Sequence, residues 1–220
     1  MTVAPPGARQ ALPDAVAARP VVAVLRATDA SLYGPVVDAL FDEGVPLIEL
    51  TMSTPGAIDE LTRLRESAPS PAQLGMGTVL TVDDARAAID AGAGFLVTPT
   101  TNVEVISYAV TRGIPIFPGG LTPTELERGW SLGAPAVKLF PASTVGPEYI
   151  AHLRGPFPGI LVIPSGGIGI EDAAAWLHAG ASAVSIGGPL LGDALSGGDL
   201  AALRGRARRL RDVVDEALAR

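Results

Sequence analysis

The sequence predicts a closed barrel of eight parallel strands alternating with helices, a (β/α)8 or TIM barrel with a short N-terminal helix. Three observations predict it. Short, continuous apolar runs recur along the 220 residues, too uniformly apolar for a sheet with one wet face and suited to parallel strands covered on both faces. An amphipathic stretch follows most of these runs, and Gly44, Gly92, Gly113, Gly133 and Gly180 stand where such helices would stop, the place for a left-handed C-terminal residue. No linker or compositional break divides the chain, so 1–220 reads as one domain.

Taken in order, residues 1–9 read as a loose leader and 10–18 as a short helix ended by Pro20. The first strand is 21–25, followed by an amphipathic helix over 31–43. The second strand is 47–51, and Pro55 stands near the first turn of a helix reaching about 66. Strands at 73–76 and 95–97 lead into helices at 82–91 and 103–112. The fifth strand, 114–117, runs into Pro118-Gly119-Gly120 before a helix over 124–132. The sixth is 136–140, with a short helix at 147–154; the seventh is 161–163, with a helix at 171–178. The eighth is 183–186, and a basic-faced helix over 200–218 ends the chain. An open doubly wound sheet would need G-x-G-x-x-G after the first strand, where this chain has Leu25-Arg26-Ala27-Thr28. The barrel fits better.

Composition narrows the function. A net charge of -7 argues against nucleic acid or an anionic membrane as partner. With no cysteine there is no thiol catalysis and no disulfide, and His152 and His178 in no metal-ligand spacing predict no metal site. No signal-peptide pattern opens the chain and no apolar run reaches a membrane span, so the expected setting is the cytoplasm. Both histidines, Trp130 and Trp176 fall on expected helices, and the Arg204–Arg211 cluster reads as a solvated face.

In such barrels the site lies at the C-terminal ends of the strands. Those ends collect Arg26, Glu49, Thr51, Thr78, Thr98, Lys138, Ser165-Gly166-Gly167 and Gly187-Gly188. Lys138 is the only lysine beside fifteen arginines, and it sits inside Ala136-Val137-Lys138-Leu139-Phe140-Pro141. Burial disfavours the charged form of an amine, and a neutral amine attacks carbonyls. Glu49, between Ile48 and Leu50, fits a general acid/base for that chemistry. A buried pair in which each charge only satisfies the other fits the same residues. The two glycine pairs after the seventh and eighth strands fit a phosphate site built from backbone N–H groups, or simple tight turns. Arg26 fits a further cation for the substrate, or a partner for a neighbouring acid.

The motifs Ile-Glu-Leu-Thr (48–51), Gly-Met-Gly-Thr-Val-Leu (75–80), Val-Thr-Pro (97–99), Pro-Gly-Gly (118–120), Val-Lys-Leu-Phe-Pro-Ala (137–142) and Ser-Gly-Gly-Ile (165–168) occur in this order. With them the chain resembles, over about 21–191, the class I aldolases of 2-keto-3-deoxy-6-phosphogluconate (KDPG), its galactonate epimer (KDPGal) and 4-hydroxy-2-oxoglutarate (KHG). The resemblance implies a TIM barrel, usually a homotrimer, working without cofactor or metal, in carbohydrate metabolism of the Entner–Doudoroff kind. It implies Lys138 as the Schiff-base lysine and Glu49 as the general acid/base. Thr78 matches a threonine on the pyruvyl carboxylate, Phe140 the aromatic wall of the pyruvyl pocket, and Pro99 lies in a shared motif. Gly166, Gly167, Gly187 and Gly188 fall where the family binds phosphate. Many gluconate-type members carry an arginine where this chain has Ser53, whereas Arg26 matches the galactonate branch. Ser165 instead resembles the gluconate branch, where a hydroxyl meets the sugar's C4 hydroxyl, and Pro189 replaces a serine found on the phosphate in many members. The expected reaction is reversible cleavage of a 2-keto-3-deoxy-6-phospho sugar acid to pyruvate and glyceraldehyde 3-phosphate, with the C4 epimer open. The alternatives are a KHG aldolase giving pyruvate and glyoxylate, and a non-catalytic barrel that binds a phosphorylated metabolite.

Overall fold

The computed structural model describes residues 9–68, 70 and 73–219. The chain starts with α1 (Asp14–Ala18), β1 (Val21–Leu25), α2 (Tyr33–Asp42), β2 (Leu47–Thr51), α3 (Ala57–Leu64), β3 (Leu74–Gly77) and α4 (Val82–Asp90). It continues with β4 (Leu96–Val97), α5 (Val103–Thr111), β5 (Ile116–Phe117), β6 (Gly119–Gly120), α6 (Pro123–Ser131) and β7 (Val137–Leu139). It ends with α7 (Glu148–Arg154), β8 (Val162–Pro164), α8 (Ala173–His178), β9 (Val184–Ile186), α9 (Gly188–Leu191) and α10 (Leu200–Leu218).

Among the described residues every strand pairing is parallel. Six strands run in the order β5-β4-β3-β2-β1-β9, and three in the order β6-β7-β8. One isolated parallel bridge, Ser165 to Ser185, joins β8 to β9. Pairing breaks after the fifth apolar run, between β5 and β6, where Pro118 has no N–H to give the ladder. Its carbonyl still accepts from the Lys138 N–H at 2.8 Å, so β7 is held across the break.

Alternation along these strands sorts the core into two layers. Outward residues such as Ile48, Leu50, Val137, Val162 and Val184 pack with the helices. Inward residues form a second cluster of Val22, Leu47, Phe95, Val97, Phe117, Ala136, Ile163 and Ala183, joined by Val16 of α1. That cluster draws on both sheets, and α1 packs against one end of it.

Helix ends follow the sequence signals. Thr81 with Asp84 and Thr122 with Glu125 form reciprocal capping boxes at α4 and α6. The five glycines expected to stop helices all have positive φ, between +71° and +99°. The first helix starts at Asp14 rather than residue 10, with Pro13 as its N-cap.

Residues 1–8 of the expected leader lie outside the described residues. Arg9 is anchored: its guanidinium lies 3.3 Å from the Trp130 ring centroid and donates to the Ala134 carbonyl at 2.7 Å. The arginine cluster of α10 is more than a solvated face. Arg204 pairs with Asp42 at 2.8 Å, Arg208 with Glu43 at 2.7 Å and Arg209 with Glu171 at 2.6 Å, tying α10 to α2 and to the segment leading into α8. Among the described residues no helix is long and apolar enough to cross a membrane, and no group of three His, Asp or Glu could hold a metal ion.

Candidate active site

The inner face turns polar at the C-terminal ends of the strands. Lys138 sits at the centre of β7, level with Gly119 on one side and Ile163 on the other. It is 8% exposed, and its Nζ lies 3.8 Å from Glu49 Oε2. Glu49 is 1% exposed, and its Oε2 has no hydrogen-bond partner among the described residues. Burial pushes the Glu49 carboxyl above the usual carboxylate range, while the positive charges of Lys138 and then Arg26 pull the other way. Room for this side chain comes from β3, because a Cβ on Gly77 would overlap the Glu49 carboxylate.

Arg26 closes one side of the mouth. Its guanidinium donates to Ser53 Oγ at 2.5 Å and to Thr78 Oγ1 at 3.2 Å. Two hydroxyls hold it, and among the described residues it forms no ion pair, so its charge faces the cavity without a carboxylate partner. Thr78 has φ +58°, a left-handed conformation that a β-branched residue rarely adopts. Behind them Tyr33 donates to Thr54 Oγ1 at 2.6 Å, and Thr54 accepts from the Ala27 N–H at 3.1 Å. That network fixes the loop after β2 against the one that follows Arg26.

The opposite wall is Phe140 and the turn after β8. The Phe140 ring centroid is 5.4 Å from Lys138 Nζ. Gly166 and Gly167 both have positive φ, and a Cβ on Gly166 would lie 2.9 Å from the Phe140 ring. Glycine is needed twice there, for the conformation and for the close approach. Among the described residues the backbone N–H groups of Gly166, Gly167 and Ile168 donate to no protein acceptor. The N–H of Gly188, in the first turn of α9, is left over by helix geometry.

These groups line one cavity of about 220 Å³. It contains Lys138, Glu49, Thr78, Phe140, Arg26, Pro99, Ser165, Gly166, Gly167, Gly187 and Gly188, which is the whole expected set except Ser53. Ser53 stands at the rim and holds Arg26 rather than facing the cavity. Thr51 and Thr98, also at strand ends, are fully buried. Thr98 donates to the Thr100 carbonyl at 2.5 Å and accepts from the Gly119 N–H at 3.3 Å, shaping the Pro99 loop. Val24, Ile168 and Ser185 also line the cavity, and Ser185 is the polar one that sequence reasoning passed over. It is 4% exposed and accepts a hydrogen bond from Ser165 Oγ at 3.2 Å. The available signal was a polar residue between Val184 and Ile186, the pattern that marks Glu49 and Lys138.

A buried amine, a carboxyl of raised pKa, a cation at the rim and free N–H donors suit a carbonyl substrate with anionic ends. The family model described as KDPG and KHG aldolase matches residues 13–204. The chain belongs to the KDPG and KHG aldolase family. It is 33% identical, over 83% of its length and 86% of the relative's, to a probable 2-dehydro-3-deoxy-6-phosphogalactonate aldolase of Rhizobium meliloti. A 2-dehydro-3-deoxy-phosphogluconate aldolase of Treponema pallidum is 35% identical over 72% of this chain and 74% of its own. Among solved structures, the KDPG aldolase of Legionella pneumophila with pyruvate captured as a covalent carbinolamine superposes with a TM-score of 0.82 at 27% identity, over 90% of this chain and 96% of that one. Family membership thus rests on most of the chain.

Proposed function

We propose that this chain is a class I aldolase that reversibly cleaves a 2-keto-3-deoxy-6-phospho sugar acid to pyruvate and glyceraldehyde 3-phosphate through a Schiff base on Lys138. The observation that carries this reading is the buried pair of Lys138 Nζ and Glu49 Oε2, 3.8 Å apart at the base of the cavity. The carbinolamine captured in the Legionella relative supports the same chemistry.

Neutral Lys138 attacks the C2 carbonyl, and loss of water from the carbinolamine gives an iminium. Glu49, ionised, takes the proton of the C4 hydroxyl. The C3–C4 bond breaks, its electron pair moves into the iminium as an enamine, and the aldehyde departs. Protonation at C3 and hydrolysis release pyruvate and return the amine. Arg26 and Thr78 are the groups we assign to the pyruvyl carboxylate, with Ser53 holding Arg26 in place. Phe140 and Pro99 are assigned as walls, Ser165 as the hydroxyl near C4, and the N–H groups of the two glycine pairs as phosphate donors.

Borohydride with pyruvate tests this directly. One covalent adduct per chain, on Lys138, is expected, and the absence of any adduct above control refutes the Schiff base. Pro189, which brings neither hydroxyl nor N–H to the phosphate end, favours a second reading in which KHG is cleaved to pyruvate and glyoxylate. Comparing kcat/KM for KHG and for the two phosphorylated epimers separates them.

The closed eight-stranded barrel belongs to this reading. It takes β5 and β6 as one strand around Pro118 and the Ser165–Ser185 bridge as the seam, and is supported by the inner cluster drawing on both sheets. So do a homotrimer and a cytoplasmic setting. A solution mass of three times 22.4 kDa checks the trimer.

A further inference from the structure

The ladder of β1 ends at Leu25, so Arg26 is rooted just outside the sheet, and it is exposed. A long side chain has much rotamer freedom to lose. It binds a carboxylate well when its planar fork is already held in place. Ser53 and Thr78 hold the tip of Arg26, and the root needs a hold of its own.

Tyr33 in the first turn of α2 provides it. The other buried residues of that helix, Gly34, Val36, Val37, Ala39 and Leu40, are all apolar. Tyr33 is fully buried and brings a hydroxyl among them. A buried phenol takes a hydrogen-bond partner, and its oxygen can donate one bond and accept others. The Tyr33 hydroxyl lies 3.1 Å from the Leu25 carbonyl and 2.6 Å from Thr54 Oγ1. Thr54 Oγ1 in turn accepts from the Ala27 N–H at 3.1 Å. Leu25 and Ala27 are the two neighbours of Arg26 in the chain, so the phenol fixes the backbone on both sides of the cation. The same hydroxyls reach its tip. Thr54 Oγ1 is 3.2 Å from Thr51 Oγ1, which accepts from Ser53 at 3.4 Å, and Ser53 accepts from Arg26 at 2.5 Å.

We propose that Tyr33, acting through Thr54, is a positioning residue for Arg26 and so sets how tightly the substrate's carboxylate is held. This rests on the aldolase function proposed above, with Arg26 on the pyruvyl carboxylate. Tyr33 lies outside the cavity wall and touches no reacting atom.

The test follows exchange of the pyruvate C3 protons into deuterated water, which passes through the iminium and enamine and needs no aldehyde. Tyr33→Phe removes the hydroxyl and keeps the ring. Binding lost equally from the ground and transition states raises KM and spares kcat. The pyruvate KM is therefore expected to rise ~2–12-fold, the worth of one net hydrogen bond, with kcat near that of the parent. Arg26→Ala should raise KM at least as far, and Tyr33→Phe should add nothing in that background. Thr54→Val breaks the same hold at its other member and should act in the same direction. It serves if Tyr33→Phe does not fold.

A pyruvate KM that stays at the parent's value in the folded variant overturns the proposal, as does a loss confined to kcat or to the urea midpoint. So does a Tyr33→Phe effect that persists undiminished without Arg26, or an unchanged KM in Arg26→Ala. A parent enzyme that neither exchanges pyruvate protons nor traps pyruvate refutes the aldolase reading instead, so the two failures are distinguishable.

Discussion

On four strands the inner face changes character within two residues: Leu47 gives way to Glu49, Ala136 to Lys138, Ile163 to Ser165 and Ala183 to Ser185. Side chains two apart share a face and stand ~6.6 Å apart along the strand. The lower half is closed by α1 and packed with Val22, Leu47, Phe95 and Phe117, all at most 2% exposed. The upper half, on the same strands, holds an amine, a carboxyl and two hydroxyls. The apolar layer desolvates the polar one from below while the cavity leaves it open from above. This asymmetry is why burial leads the causes that raise the Glu49 pKa. Stability and chemistry should therefore separate by layer.

The largest expected effect is in the upper half. Lys138→Arg keeps a cation but cannot form the imine, so cleavage should fall by more than the ~10²–10⁴ that a proton transfer is worth. Pyruvate trapping should vanish as well. Retained turnover with purified Lys138→Arg enzyme would show that the amine is not the nucleophile.

Glu49→Gln should lower kcat by ~10²–10⁴ while leaving pyruvate trapping detectable. A base of raised pKa places the acid limb of kcat/KM above the ordinary 4.5 of a glutamate, and the limb should be lost in the variant. Stability carries the opposite sign. A carboxyl with a raised folded pKa binds more protons folded than unfolded, so its contribution is full below pH 4.5 and is lost as pH rises through the folded value. The stability of the parent relative to Glu49→Gln should therefore decline with rising pH, as urea unfolding at a series of pH values would measure. A rising difference contradicts the raised pKa.

Both residues were legible because each breaks a pattern. A lone lysine and a glutamate inside apolar runs stand out in a parallel sheet, whether as a catalytic pair or as two buried charges that satisfy each other. The strands and helix stops were legible from apolar continuity and glycine placement. What escaped depends on neighbours distant in sequence. Ser185 is an ordinary buried serine until Ser165, twenty residues away, is brought opposite it. Arg26 had an acid partner as one possibility, and only the fold supplies Ser53 and Thr78 instead. The arginines of α10 had no visible partners until α2 and Glu171 lay alongside. The fifth strand was readable as far as residue 117, but the resumption of pairing at Gly119 beyond Pro118 was not.

The lower half should respond the other way round. Leu47 is fully buried directly below Glu49, and Leu47→Ala removes packing without touching the cavity. It should cost ~2–5 kcal/mol of stability, seen as a lower urea midpoint with an unchanged slope, and leave the folded enzyme's kcat near that of the parent. A collapse of kcat comparable to that of Glu49→Gln, in enzyme shown to be folded, would mean that the layers are not separable.

The smallest effect tests how the lower end is held. Arg9 lies over Trp130 and donates to the carbonyls of Trp130 and Ala134 at the C-terminal end of α6. A cation is favoured at a helix C-terminus, where the carbonyl dipoles point outward. A few residues on, Leu12, Ala15 and Val16 pack under the inner apolar cluster. Arg9 therefore tethers the segment that closes the apolar layer, at a site remote from Lys138. Arg9→Ala should cost ~0.5–1 kcal/mol, the range for an exposed cation–π contact. Arg9→Lys should recover part of that, since an ammonium keeps the charge but not the planar stacking. Neither variant should alter the epimer ratio or the acid limb. A shift in either would mean that strain at the base of the strands reaches Glu49, and that the two layers act as one.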